Sequence, residues 1–162
     1  MAEIRIRDYV DPDAENLNRI ALAAYDQFRD QFQDWPAMLA WLATASDLSA
    51  TGETIVVDVQ DQLAGAVTYF GPDRPKAEFF DQSWPIIRML VVDPAFRGKG
   101  IGRALTDECI ARAKRDGSPI IALHTSPIMT VALPMYLRMG FAKVHDAPPI
   151  FGVAYAVYTK AL

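Results

Sequence analysis

The chain has 162 residues, of which 51% are hydrophobic and 22% charged, with 16 Lys and Arg against 20 Asp and Glu for a formal charge of −4. A chain of this length buries roughly 70% of its unfolded surface around one core, so a single domain over residues 1–162 is expected, with no metal or disulfide needed to hold it. The acidic balance without a Lys/Arg run argues against nucleic acid as a partner, no apolar stretch is long enough for a membrane span or signal peptide, and a lone Cys109 excludes a disulfide framework, so a cytoplasmic protein is expected.

Ile4 and Ile6 alternate with charged residues, as in a half-buried strand, and Asp11-Pro12 offers an N-cap with proline at the first helical position. A helix therefore starts near Pro12, with Leu17, Ile20, Ala21, Ala24, Tyr25 and Phe28 at intervals of three and four. Trp35-Pro36 interrupts the chain before a second, shorter helix carrying Met38, Leu39, Trp41 and Leu42. Residues 54–59 and 63–70 are strand-like runs joined by Gln60-Asp61-Gln62, a connection of hairpin length. After a mixed loop over residues 71–83, a third apolar run at 84–92 ends at Asp93-Pro94. A helix carrying Ile101, Ala104, Leu105, Cys109 and Ala113 on one face runs to Gly117-Ser118-Pro119. A short strand at 120–124 follows, and Ser126-Pro127 caps a further helix that Gly140 stops. Pro134, inside that helix, is expected to kink it before Tyr136. Strands at 141–144 and 153–158 close the chain, with a loop between them at 146–152. The order is β-α-α-β-β-β-α-β-α-β-β, without an internal repeat, and reads as one mixed α/β domain.

The strand, tight turn and helix start spanning residues 90–105 carry the chemistry. Glycines let a backbone approach a ligand closely, and the free N–H groups of a first helical turn favour phosphate or pyrophosphate. Arg97 and Lys99 add positive charge beside Gly98, Gly100 and Gly102. A Walker loop needs Ser or Thr after Gly-Lys, where this chain has Gly100, and the dinucleotide fingerprint needs a third glycine where it has Arg103.

Arg97-Gly98-Lys99-Gly100-Ile101-Gly102 instead resembles the acyl-CoA loop of the GCN5-related N-acetyltransferases, Arg/Gln-x-x-Gly-x-Gly/Ala directly after a central strand. A second signature of that family, an Ala followed by Tyr-x-x-x-Gly-Phe, matches Ala132 and the run from Tyr136 to Gly140-Phe141. The resemblance covers most of the chain and implies a mixed, mostly antiparallel central sheet flanked by helices. It implies acetyl-CoA as cosubstrate, no metal, and acyl transfer to a primary amine of a small molecule or peptide by a monomer or homodimer. The main chain of Leu90, Val91 and Val92 would pair with the pantetheine arm, and the amides of Arg97, Gly98, Lys99, Gly100, Ile101, Gly102 and Arg103 would hold the pyrophosphate. One N–H near Leu90 would stabilise the oxyanion of the tetrahedral intermediate.

The resemblance also makes Tyr136 the general acid that protonates the departing thiolate. An amine with a pKa of about 10.4 must lose a proton before it attacks. The Glu that relatives often carry two residues before the Arg of an Arg-Met-Leu strand is here Ile86, which leaves His124, Glu78, Asp81 or a water relay as the base. Met129 stands where an Asn often precedes the Ala by three residues. Asp26, Asp30 and Asp34 form an acidic row that reads first as a solvated face, with one or two of the aspartates able to attract a cationic amine. The stripe of Tyr25, Phe28, Phe32 and Trp35 reads as core, while Phe79-Phe80 and the 146–152 loop are candidate walls of the acceptor pocket. The alternative to an enzyme is an acyl-CoA-binding sensor on the same fold, and a nucleotide-binding protein using residues 98–102 is a third reading.

Overall fold

A computed structural model describes residues 3–162. Its elements are β1 (Ile4–Asp8), α1 (Ala14–Tyr25), α2 (Trp35–Leu42), β2 (Glu53–Val59), β3 (Gln62–Phe70), β4 (Ile86–Val92), α3 (Ile101–Arg115), β5 (Ile120–Thr125), α4 (Ala132–Arg138), β6 (Ala142–Ile150) and β7 (Val153–Ala161). The order of strands and α-helices is the one expected from the sequence. A single seven-stranded sheet runs β1-β2-β3-β4-β5-β7-β6, with β4 and β5 its parallel pair.

Helices cover both faces, which is why the central strands read as nearly continuous apolar runs. The strand period of two divides their side chains between two cores. Ile55, Val57 and Val59 pack with Leu105, Cys109 and Ala113 of α3, whereas Val56 and Ala66 pack with Ile20, Ala21 and Met38 of the α1/α2 layer. Gly65 lets α3 approach the sheet closely, since a Cβ there would lie 2.9 Å from Ile101 Cγ2 and 2.9 Å from the Val91 carbonyl oxygen. The β2–β3 connection is a two-residue turn, with Gln60 at φ 50° and Asp61 at φ 62° between the paired Val59 and Gln62. That is the turn geometry whose twist matches a hairpin.

Several local expectations are corrected. Ile4 and Ile6 are exposed, so β1 is held by its ladder and ion pairs and not by a buried face. Residues 11–13 form a 3-10 turn before α1, and the stabilising carboxylate is that of Asp13, which accepts the Val10 amide at 2.9 Å, not that of Asp11. Trp84 sits in a turn closed by its amide on the Asp81 carbonyl at 3.0 Å, and β4 starts only at Ile86. Residues 126–131 are turns, and α4 begins at Ala132. Pro134 therefore falls in the first helical turn, where a proline costs no hydrogen bond, and no kink is required. Residues 146–150 belong to β6, an edge strand that tolerates Pro148 and Pro149, and the loop shrinks to Phe151-Gly152.

Two features of β4 position the site. Ala66 pairs with Val91 and Thr68 with Arg88, so two steps along β3 match three along β4, and the extra residue is taken up where Met89 adopts φ 55°. This bulge leaves Met89 and Leu90 without register partners on β3. On its other side β4 meets β5 only at Ile86 and Ala122. From there β5 follows β7, pairing along its whole length from Ile120 to Thr125, and the two parallel strands part into a wedge.

Candidate active site

The wedge opens into two adjoining cavities. A smaller one of about 70 Å³ is bounded by Arg88, Met89 and Leu90 of β4, Leu123, His124 and Thr125 of β5, and Tyr136 of α4, with Tyr25, Met129 and Tyr155 completing its wall. The larger, of about 230 Å³, lies under the β3–β4 loop and is lined by Lys76, Phe79, Phe80, Phe70 and Ile86. Trp41, Arg88, His124 and Ile150 line both. Ile150 is held there because the tip of the β6–β7 hairpin is tied down, the Gln33 amide donating to the Phe151 carbonyl at 2.8 Å.

On the helical side of the wedge, Asp93 caps the turn after β4 by accepting the Ala95 amide at 2.9 Å, and the chain then enters α3 through Gly98 at φ 79° and Gly100 at φ 76°. These left-handed conformations suit glycine. The first helical bond is the Ala104 amide on the Gly100 carbonyl at 3.0 Å. The six amides from Gly98 to Arg103 make no hydrogen bond among the described residues. They form a concentrated array of donors at the positive end of a 15-residue helix, the arrangement that receives phosphate oxygens.

The predicted cofactor residues fall into two kinds. Arg97, Gly98, Lys99, Gly100 and Arg103 are exposed, whereas Val91 and Ile101 are buried, and Leu90 and Val92 pack partly against the core. Val91 and Ile101 can offer only main chain to a ligand, whereas Leu90 also lines the smaller cavity. Arg97 reaches the Ala24 carbonyl at 3.4 Å, and Arg103 lies 3.8 Å from Asp107, so both side chains have protein partners. Gly102 lies in the opening of the wedge, where an added Cβ would sit 3.7 Å from Met135 Sδ and 3.9 Å from Leu90 Cδ2.

Tyr136 and His124 are brought together by the smaller cavity. The Tyr136 ring packs edge-on to Phe141, its hydroxyl makes no hydrogen bond among the described residues, and burial pushes its pKa well above the ordinary phenol value. It stays protonated at neutral pH. His124 is wedged between Phe79, Phe80 and Tyr155, with ring centroids 5.2, 5.7 and 5.2 Å away, and its Nδ1 is buried without a partner. Burial, followed by the nearby Arg88 charge, pushes its pKa down to about 4. The imidazole is neutral at pH 7. Cys109 is inert core, its thiol pushed up by burial.

No carboxylate lines either cavity among the described residues. Glu78 is exposed and lines neither cavity, and Asp81 is occupied by the Ser83 amide and hydroxyl at 2.9 and 2.6 Å. The acidic row is dispersed because residues 26–31 are a 3-10 turn: Asp26 pairs with Arg29, and Asp34 caps α2 through the Ala37 amide at 3.0 Å. The stripe packs in or against the core as expected, and Tyr25 in addition lines the smaller cavity, its phenol pushed up to about 12 by burial. Phe79 and Phe80 line the larger cavity, and of residues 146–152 only Ile150 lines either one. Arg88 and Tyr155 were missed, although an arginine in the middle of an apolar strand is a sequence signal that needs a reason.

A seven-stranded mixed sheet with a splayed parallel pair, a β4 bulge and a glycine-rich turn at the mouth of the wedge defines an acyltransferase-type fold. Residues 14–141 match the model of the acetyltransferase (GNAT) family, and the chain belongs to that family. It is 28% identical over 142 residues to a mycothiol acetyltransferase of Renibacterium salmoninarum, covering 86% of this chain and 41% of that protein. A mycothiol acetyltransferase of Salinispora tropica is 30% identical over 122 residues, 69% of this chain and 38% of the relative. The chain thus spans about two-fifths of the length of these curated relatives. Among solved structures, a GCN5-related N-acetyltransferase from Rhodopseudomonas palustris superposes with TM-score 0.77 at 23% identity, over 100% of this chain and 98% of that one. The PaiA N-acetyltransferase of Thermoplasma acidophilum, solved with coenzyme A, gives 0.75 at 17% identity over 99% of each chain. These two share the fold.

Proposed function

We propose that the protein transfers an acetyl group from acetyl-CoA directly to a primary amine of a small molecule or peptide. The observation that carries this reading is the continuity of three parts: six unbonded amides at the start of α3, the unpaired edge of β4 beyond Ile86, and a cavity ending at the Tyr136 phenol. A pyrophosphate on the first, a pantetheine arm along the second and a thioester in the third match the order of polar and apolar parts in acetyl-CoA. The donor set is backbone N–H and apolar wall, which fits such a ligand. Among the described residues no cluster of three or more His, Cys, Asp or Glu is placed to hold a metal ion.

In this reading the neutral amine nitrogen attacks the thioester carbonyl carbon. The oxygen gains negative charge, and a main-chain amide near Leu90, freed from the β3 ladder by the bulge, donates to it. The C–S bond then breaks, and the thiolate takes the Tyr136 proton. The proton lost by the amine leaves through His124 or water. A second reading, an acyl-CoA sensor without turnover, is favoured by the absence of a lining carboxylate and the low basicity of His124. The domain works as a monomer or homodimer in the cytoplasm, consistent with its buried, unpaired Cys109; among the described residues no helix is long and apolar enough to cross a membrane.

Thiol release from acetyl-CoA across a panel of amines tests the transferase, and Tyr136→Phe tests the acid. The variant is expected to lose turnover by about 100-fold or more while binding acetyl-CoA as the wild type does. Unchanged turnover in the variant removes Tyr136 from the chemistry, and binding without release from any amine favours the sensor.

A further inference from the structure

Arg88 is the one side chain lining both cavities that carries a full positive charge, and among the described residues its guanidinium has no hydrogen-bond or ion-pair partner. It is half-buried on β4, flanked by the Trp41 and Phe70 rings with its Cζ 5.9 and 6.0 Å from their centroids. These rings fix its direction and exclude water without neutralising it. The other cation of the larger cavity, Lys76, is already engaged, its Nζ donating to the carbonyls of Arg74 at 2.6 Å and Gln82 at 3.0 Å, which fastens the β3–β4 loop. Beside Arg88 the buried Nδ1 of His124 is a second polar atom without a partner. Desolvation lowers the pKa of both groups, as expected of sites that lack an anion.

We propose that the amine acceptor carries a carboxylate, bound by the Arg88 guanidinium where the two cavities meet, and an apolar body that packs against Phe79, Phe80 and Ile150. The acceptor class is thus a small amino-acid-like molecule. This rests on the acyl-transfer reading of the same site. Arg88 borders the smaller cavity as well as the larger, so an amine one carbon from its carboxylate stays close to the thioester while the side chain fills the aromatic space. A cavity of about 230 Å³ is small beside the roughly 300–1,000 Å³ of ordinary ligand sites, which limits the acceptor to few atoms. Polyamines and aminoglycosides fit poorly. They would bring further positive charge against Arg88 with no carboxylate in the lining to offset it.

The test compares leucine, methionine, phenylalanine and tryptophan, each with its own amide, in thiol release from acetyl-CoA by the wild type, Arg88→Met and Arg88→Lys. At least one acid is expected to have a KM at least 10-fold below its amide. Arg88→Met should abolish that preference while acetyl-CoA still binds and the melting temperature does not fall, and Arg88→Lys should keep part of it. Equal use of acids and amides, or a preference that survives Arg88→Met, overturns the proposal. Succinyl-CoA replaces acetyl-CoA in a further arm: if it is the preferred donor and the acid-amide preference is absent, the carboxylate belongs to the acyl group and the proposal fails. If acetyl-CoA does not bind or releases no thiol, the transferase reading fails by itself. Calorimetric titration of the N-acetyl amino acids and their amides into wild type and Arg88→Met then reads the anchor directly. Acid binding lost in Arg88→Met supports the carboxylate site, and equal binding of both forms overturns it.

Discussion

Burial shifts the two residues expected to move protons in opposite directions, and both shifts favour the neutral form. Tyr136 is raised, so it holds its proton at neutral pH but is a weaker acid than a free phenol; His124 is lowered to about 4 from an ordinary 6.5, which leaves it a neutral but weak base. The second shift is also a statement about stability. Between these two values the unfolded chain binds a proton that the folded one does not, so His124 contributes stability fully above pH 6.5 and loses it as pH falls toward 4. His124→Phe, which keeps a ring among Phe79, Phe80 and Tyr155, is expected to flatten the fall in melting temperature over that interval. A wild-type slope retained in the variant would show that His124 is already free to ionise. At this scale a motif singled out Tyr136, Arg88 showed only as a charge inside an apolar strand, and Tyr155 had no signal, because which side chains line the cavities depends on which strands part around them.

In the proposed reading, the turn into α3 and the bulge in β4 are the elements that turn an ordinary strand-helix connection into a binding surface. The first was legible, because Gly98 and Gly100 stand where the chain must take positive φ, and their spacing announces a helix start with unbonded amides. The second was not. Met89 at φ 55° carries no local signature, and only the register between Ala66/Thr68 and Val91/Arg88 reveals it. The helix over residues 126–138 was misplaced for a related reason: Ser126-Pro127 is a valid capping sequence, but the Met129 amide closes a turn on the Ser126 carbonyl at 3.0 Å and the regular helix waits until Ala132. A Cβ at Gly100 would meet nothing within 4 Å, so Gly100→Ala costs only the left-handed conformation, about 1–2 kcal/mol. Relief of that strain turns the amides away from the ligand. Acetyl-CoA affinity should fall at least 10-fold in titration calorimetry with a modest loss of melting temperature, and unaltered affinity would mean that these amides do not hold the pyrophosphate.

Across the whole molecule, the two main cores on either side of one sheet, with a smaller cluster around Phe70, Phe80 and Ile86, leave the outer strand β1 dependent on charge. Asp58 of β2 accepts from Arg7 at 2.7 Å and Arg5 at 2.9 Å, and Arg7 also pairs with Asp13 at 2.8 Å, which links β1, β2 and the approach to α1. The Arg7 hydrogen bonds hold the carboxyls of Asp58 and Asp13 below their ordinary range. Their contribution is therefore present above about pH 4 and disappears as pH falls through the lowered values. Asp58→Asn is expected to cost about 2 kcal/mol, roughly 4–8 °C in melting temperature for a chain of this size, with less further loss on acidification than the wild type; equal melting curves at neutral pH would make the network dispensable. The helix-strand order was readable because its periodicities and breakers are local. The exposed face of β1 and the long β6 were not, since both are decided by where the strand sits in the sheet.

The claim on which the functional reading turns is that the free amides of α3 and the open edge of β4 receive coenzyme A. Titration of coenzyme A and acetyl-CoA into the protein by calorimetry measures this directly. The account predicts one site per chain with micromolar affinity for both, followed by amine-dependent thiol release in the same preparation; no heat of binding at millimolar coenzyme A would contradict it.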